Sequence, residues 1–170
     1  MRGRLAGNAN AEEAGRRMSL LLALLIGVFA GVRSLTAPAV TAWAIRLGWL
    51  PVGGGLAWLG GLPSVIILTV LALGELIADK LPTTPSRTSP PGLIARAVMG
   101  ALAGACVASA GGSAAVAGAV LGLIGGIVGC FAGYAARTRL VRALGTPDFY
   151  VAILEDVVAI VGCLWIVTRL

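Results

Sequence analysis

Long runs of Leu, Ile, Val, Ala and Gly fill most of this chain, and short polar or basic segments separate them. About 20 consecutive apolar residues suffice to cross the hydrocarbon core of a bilayer as a helix. The runs predict membrane spans over residues 18–45, 56–79, 93–110, 114–136 and 149–168. The predicted fold is therefore all-α, a polytopic membrane helix bundle with about five transmembrane helices.

The polar segments predict the loops and the chain ends. Residues 1–17 are rich in Arg, Asn and Glu, so we expect a disordered cytoplasmic tail before a single transmembrane domain over residues 18–170. Pro38 lacks a backbone donor, which predicts a kink or break near Arg33–Pro38. Residues 137–148 contain basic residues and Gly-Thr-Pro, which predict a helix stop and a loop.

Composition supports a membrane protein and excludes several functions. The chain is 58% hydrophobic and 12% charged, whereas soluble proteins carry about 25% charged residues. Histidine is absent, which excludes a His-based triad and the usual zinc sites. The three cysteines lie inside apolar runs without CxxC spacing, so we expect no metal and no cofactor. Basic residues occupy short segments between apolar runs, so the expected partner is the lipid bilayer and not nucleic acid.

The distribution of basic residues predicts an orientation. With five spans and a cytoplasmic N-terminus, the outside receives only Arg46 and Arg169. The inside receives Arg2, Arg4, Arg16, Arg17, Lys80, Arg87, Arg96, Arg137, Arg139 and Arg142. Because cytoplasmic loops are enriched in Lys and Arg, this asymmetry predicts the N-terminus inside and the C-terminus outside.

Five ionisable residues interrupt the apolar runs and are the strongest indication of function. A charge in hydrocarbon costs roughly 2.5–3.5 kcal/mol on insertion scales, so such residues face the interior, pair, or line a polar path. Glu75 and Asp79 are four apart and share a helix face, so they repel unless Arg33, Arg96, a bound cation or a proton accompanies them. Glu155 and Asp156 differ by about 100° on a helix, so only one is expected to point into the same cavity. The predicted substrate or ion pathway comprises Arg33, Glu75, Asp79, Glu155 and Asp156, with Lys80, Arg87 and Arg96 as secondary candidates.

Glycines at helical spacing predict close packing of helices. One register contains Gly118, Gly122 and Gly126, and a second contains Gly125, Gly129 and Gly133. Small residues four apart let neighbouring backbones approach in lipid. The residues expected to pack helices, or to join copies in a homo-oligomer, are Gly27, Gly31, Gly118, Gly122, Gly126, Gly129 and Gly133.

Two local likenesses suggest an inverted repeat. Residues 27–33 resemble residues 129–137, and residues 74–78 loosely resemble residues 154–159. In the predicted topology the two members of each pair run in opposite directions. Transporters often place a site between such inverted repeats.

Three stretches resemble a known family. Gly31-Val-Arg-Ser-Leu-Thr-Ala-Pro38, Glu75-Leu-Ile-Ala-Asp-Lys-Leu-Pro82 and Thr84-Pro-Ser-Arg-Thr88 look like bacterial membrane proteins of domain of unknown function 4126. The likeness covers most of residues 20–168, and its second stretch is the most specific. Some members carry further acidic residues after that stretch, where this chain has Ser, Thr, Arg and Pro. The resemblance implies a small polytopic protein of the bacterial cytoplasmic (inner) membrane and supplies no activity.

The sequence leaves three functions open. The first is a transporter or channel for protons, ions or a small polar solute that uses the intramembrane carboxylates and Arg33. The second is a non-catalytic scaffold or assembly partner with structural ion pairs. The third is a lipid-modifying enzyme, which is less favoured because no nucleophile or metal cluster accompanies the carboxylates. No catalytic residue is predicted.

Overall fold

The computed structural model describes residues 2–79, 89–145 and 147–170. Within them the chain contains no strand and forms α1 (Arg2–Val32), α2 (Thr36–Arg46), the 3₁₀ helix η1 (Gly54–Gly60), α3 (Leu62–Ala78), α4 (Pro90–Ala110), α5 (Ala115–Leu144) and α6 (Asp148–Val167). Four helices, α1, α4, α5 and α6, are long and apolar enough to cross a membrane, and the bent pair of η1 and α3 makes a fifth candidate. The prediction of an all-α polytopic bundle is confirmed.

The helix α5 packs against α4 through one of its glycine registers. Gly118, Gly122 and Gly126 face the α4 backbone, and a methyl group on Gly122 would overlap the carbonyl of Gly100. Gly104 lies beside the Gly118 carbonyl in the same way. The two backbones are therefore in direct contact, a packing that only small residues permit.

The other glycine register of α5 faces α1. A methyl group on Gly129 would overlap the carbonyl of Val28, and Gly27 and Gly31 of α1 lie against the backbone of α5. Since these faces are used inside one chain, a homo-oligomer would need a different surface.

The direction of α1 contradicts one predicted repeat pair. Along α1, Gly27 lies beside Gly122 and Gly31 beside Gly126, so α1 and α5 run parallel. The sequence led us to expect residues 27–33 and 129–137 on helices of opposite direction. The expected opposite direction was wrong because it followed from counting residues 18–45 as one complete crossing.

Residues 18–45 were predicted to form one span, but they form a helix that ends at Val32 and a second helix that turns back. Beyond the break, Ala44 and Leu50 belong to the same buried cluster as Leu22, near the start of the span in α1. The helix α2 runs antiparallel to α3, since Trp43 Nε1 donates to Thr69 Oγ1 at 3.0 Å and Gly60 lies beside Ile45. The predicted break is confirmed at residues 33–35, between α1 and α2. Pro38 explains it, because its ring would clash with the carbonyl four residues earlier in a continuous helix.

The reversal places both chain ends at one end of the bundle. Ser19 Oγ lies 2.8 Å from Ser113 Oγ, and Leu170 lies beside Gly111. We call this the Ser19 end; the residue 47–53 connection belongs to it, because α2 and α3 meet there. The opposite Gly145 end holds the connection between α5 and α6 and the helix termini at Asp79 and Ser89. The predicted arrangement, with the termini on opposite sides, was therefore wrong.

Two segments predicted to be irregular are helical. The helix α1 begins at Arg2, so the polar segment expected to be a disordered tail continues the first helix. The helix α5 continues to Leu144, through the basic residues assigned to a loop. Ala, Arg and Leu all favour helix, which outweighs the charge. Gly145 ends α5 with a left-handed φ of 60° and donates its N–H to Val141 O at 3.1 Å.

Candidate functional site

A buried arginine at the break between α1 and α2 forms the centre of the site. Arg33 Nη1 donates to Oδ2 of Asp79, at the end of α3. Arg33 Nη2 lies 2.5 Å from Oδ1 of Asp156 in α6 and donates to the Ala152 carbonyl at 3.4 Å. The Arg33 side chain is fully buried, and the two carboxylate side chains are 9% and 10% exposed. One guanidinium therefore connects three helices away from bulk water.

Glu75 has a different role from the other carboxylates: it caps α2. Its Oε1 accepts from the Ser34 N–H at 2.8 Å and from the Ser34 hydroxyl at 2.6 Å, and its Oε2 accepts from the Leu35 N–H at 2.8 Å. No side chain of α2 caps its own N-terminus. A carboxylate at this position satisfies free N–H groups and is favoured by the helix dipole. We define the Arg33 cluster as Arg33, Glu75, Asp79 and Asp156.

Exposed aromatic rings indicate the depth of the Arg33 cluster. Toward the Ser19 end these include Trp49, Trp58 and Trp165. Toward the Gly145 end they include Phe149 and Tyr150. Such rings gather at the two membrane–water interfaces. Asp156 lies about 9 Å along the α6 axis from Tyr150, so the cluster is inside the membrane-spanning part and nearer the Gly145 end.

A second group of charges lies closer to the Gly145 end. Arg137 donates through Nε to Asp148 Oδ1 at 2.7 Å and through Nη2 to Asp148 Oδ2. Its Nη1 donates to Glu155 Oε2 at 3.1 Å. The Arg137 and Glu155 side chains are 14% and 13% exposed, whereas that of Asp148 is 60% exposed. We call these three residues the Arg137 cluster.

The structure therefore separates the five predicted pathway residues. Asp156 pairs with Arg33, while its neighbour Glu155 pairs with Arg137 on the other side of α6. The sequence anticipated this divergence from the angle between consecutive helical residues. Four of the five predicted residues form one cluster, and the fifth belongs to another.

Arg137 was missed because the sequence was interpreted as a loop after residue 136. A sequence signal could have identified it, because Arg137 and Arg33 each follow two glycines spaced four apart. These glycines are Gly129 and Gly133 before Arg137, and Gly27 and Gly31 before Arg33. Among the secondary candidates, Arg96 is buried in α4 and donates to the Gly92 carbonyl at 3.0 Å. Lys80 and Arg87 lie outside the described residues.

Arg33 holds two of the acidic side chains, those of Asp79 and Asp156. Within residues 2–79, 89–145 and 147–170, no three His, Cys, Asp or Glu side chains are grouped closely enough to hold a metal ion. A surface groove beside α6, lined by Phe29, Val161 and Trp165 among others, is almost wholly apolar. It offers no polar ligand and faces the region expected to contain lipid.

Comparison with known proteins identifies the family. The family described as Domain of unknown function (DUF4126) matches residues 20–168, and the chain belongs to it. The match includes the whole Arg33 cluster and the whole Arg137 cluster. No curated protein and no solved structure matches the chain. The chain is thus a membrane-spanning helical protein of a family whose function is unknown.

Proposed function

We propose that the chain is a small transporter or channel of the bacterial cytoplasmic membrane, which moves protons, ions or a small polar solute. The observation that carries this proposal is the fully buried Arg33, shared by Asp79 and Asp156 at a helix break inside the bundle. Interrupted helices at membrane depth are found where backbone is buried in protein or lines a water-filled path. Transporters use the ends of such half-helices to bind ions and substrates.

The geometry supports a site controlled by protonation or by a competing cation. Asp79 belongs to the end of α3 and Asp156 to α6, and both depend on the single guanidinium of Arg33, just after α1. Neutralising one carboxylate converts a buried ion pair into a weaker contact. The helix that carries it can then separate from Arg33, while Glu75 keeps α2 and α3 together. In the structure the cluster is closed, so transport requires this separation.

Flux measurements test the proposal directly. Purified protein in liposomes should move protons, monovalent ions or a solute from a panel of small polar compounds. Asp79→Asn and Asp156→Asn should each abolish coupled flux. Glu13→Gln is the matched control, because Glu13 is an exposed carboxylate that also pairs with an arginine, Arg17. Absence of flux across the panel, or unchanged flux in folded Asp79→Asn protein, would refute the proposal.

A second candidate is a non-transporting scaffold or assembly partner. It is supported by the way both clusters close charge against charge, with both arginine side chains buried or nearly so. Buried ion pairs can often be replaced by apolar residues of similar volume without loss of stability. A scaffold therefore predicts that Arg33→Met combined with Asp79→Leu and Asp156→Leu keeps both the fold and a co-purifying partner. A transporter predicts that the same triple variant folds but is inactive.

A further inference from the structure

The apolar groove beside α6 leads along that helix toward an arginine at the Ser19 end. The ring of Phe29 from α1 lies directly against Gly162, where a methyl group would overlap it. From Val157 to Trp165 the groove follows the helix axis for about 12 Å. Residues 158, 162, 165 and 169 are three or four apart and therefore share one helix face. The groove thus points at Arg169.

Arg169 is held at the mouth of the groove by a ring that lines it. Its guanidinium carbon lies 5.0 Å from the centroid of the Trp165 ring. A cation–π contact of this kind fixes a guanidinium over a ring and leaves its N–H groups able to donate. Among the described residues, no acidic side chain forms an ion pair with Arg169. Because exposed tryptophans gather at the membrane–water interface, the guanidinium lies at the level of lipid headgroups.

We propose that this groove binds one anionic phospholipid, with an acyl chain along Val158 and Val161 and the phosphate on Arg169. These two valines are 51% and 57% exposed on a membrane-spanning helix, so the groove opens toward lipid. An empty apolar groove lacks contact atoms on one side, and an acyl chain supplies them. Arginine suits the phosphate because its paired N–H groups match two phosphate oxygens.

The charge of the headgroup follows from the single positive charge at the mouth. A zwitterionic lipid offers the same phosphate, but its own cation competes with Arg169 for it. An anionic lipid has no such competitor. A basic residue near the membrane surface is worth about fivefold in attraction to anionic lipid. The groove therefore selects by shape for an acyl chain, and Arg169 selects for negative charge.

The proposal does not rest on transport. The groove residues belong to neither charged cluster, and a transporter and a scaffold could both hold a lipid on α6. Failure of the flux experiment would leave this inference untouched, and failure to bind the lipid would leave the transport proposal untouched.

Quenching of tryptophan fluorescence by brominated lipids measures binding at the groove. The chain has four tryptophans. Phe replaces Trp43, Trp49 and Trp58, so that Trp165 remains as the reporter. In bilayers of mixed lipids, brominated phosphatidylglycerol should associate with this site about fivefold more strongly than brominated phosphatidylcholine. Equal association of the two lipids would overturn the proposal.

A charge variant and its matched control separate the site from general attraction. Arg169→Gln should remove most of the preference for phosphatidylglycerol. Arg46→Gln removes the same charge from an exposed position at the same end, and it should leave the preference at about fivefold. Equal losses in the two variants would contradict a site at Arg169, because the lipid would then respond to the charge of the whole end.

Filling the groove tests the place of the acyl chain. Val161→Phe puts a ring where the chain would lie and should weaken quenching by both lipids. Val70→Phe is the control, since Val70 is a comparably exposed valine on α3, and it should leave quenching of Trp165 unchanged. Unchanged quenching in Val161→Phe would overturn the proposal. Little quenching by either lipid, in a chain that runs as a dimer, would mean that a second copy covers the groove and would also overturn it.

Native mass spectrometry of the chain with all its tryptophans avoids any folding defect of the reporter variant. Released from micelles that contain both lipids in equal amounts, the chain should retain phosphatidylglycerol. Arg169→Gln should lose this adduct, and Arg46→Gln should keep it. The absence of an adduct, or adducts of both lipids at equal frequency, would count against the site.

Discussion

The helices α1, α4 and α5, which we call the glycine core, and the outer helices α2, α3 and α6 are held by different interactions. In the glycine core, backbones touch through glycines that leave no room for a methyl group. The outer helices also make apolar contacts, but each is fixed by a charged side chain. Glu75 joins α3 to the start of α2, Arg33 joins α3 and α6 to α1, and Arg137 joins α6 to α5.

The difference indicates which part of the bundle depends on charge. In lipid, apolar helices gain little from contacting one another, so close packing and polar contacts hold them together. Interlocked backbones resist sliding because any shift produces overlap. An ion pair changes when a proton or a cation arrives. The contacts of the outer helices are thus the ones that a change of charge would weaken.

Loss of Arg33 should have the largest effect. Arg33→Met removes the arginine partner of two buried carboxylates and should cost about 3–5 kcal/mol of unfolding free energy. Unfolding in bicelles measures it, with Arg46→Met as the control because Arg46 is exposed at the end of α2. Adding Asp79→Asn and Asp156→Asn should recover much of the loss. A triple variant no better than Arg33→Met would contradict an ion-pair origin.

A methyl group in the glycine core should have the next largest effect. Gly122→Ala forces a clash with the Gly100 carbonyl and should lower the unfolding free energy by about 1–3 kcal/mol. Gly74→Ala is the matched control, since a methyl group there meets nothing within 4 Å. Gly74→Ala should leave stability equal or slightly higher, because alanine is the better helix former. Thermal unfolding in detergent compares them; equal melting temperatures would rule out backbone contact at Gly122.

Removal of the cap on α2 should have a smaller, local effect. Glu75→Gln keeps one oxygen acceptor, but it places the amide N–H₂ donor of glutamine against a backbone N–H donor. The loss should be roughly 1–2 kcal/mol of unfolding free energy. Hydrogen exchange should accelerate at the amides of Ser34 and Leu35 and stay unchanged in the middle of α4. Unchanged exchange at both amides would show that Glu75 does not cap the helix.

The Arg137 cluster should have the smallest effect. Arg137→Gln should cost about 1 kcal/mol or less, because much of the pairing involves the exposed carboxylate of Asp148. The loss should shrink further in high salt, which screens exposed charges. A cost equal to that of Arg33→Met, insensitive to salt, would mean that both clusters are equally sequestered.

The sequence predicted the site better than it predicted the topology. The carboxylates were identifiable because charge is costly in apolar runs, and the split between Glu155 and Asp156 follows from helical geometry. The partners were not identifiable: Arg33 and Asp79 are 46 positions apart, and Ala152 is 119 positions from Arg33. The cap on α2 was equally hidden, since a carboxylate from another helix supplies it.

By itself the sequence determined a helical membrane protein, the glycine registers of α5, a break before Pro38 and the identity of the buried charges. These properties depend on composition, on the helical spacing of glycines and on local steric clashes, all of which involve residues close together in the sequence. Only the tertiary structure decided that α2 turns back, that both chain ends lie together, and that Arg137 forms a cluster of its own. The contacts that hold the reversal come from distant parts of the chain: Glu75, which accepts from the free N–H groups at the break, lies 41 positions away from Ser34.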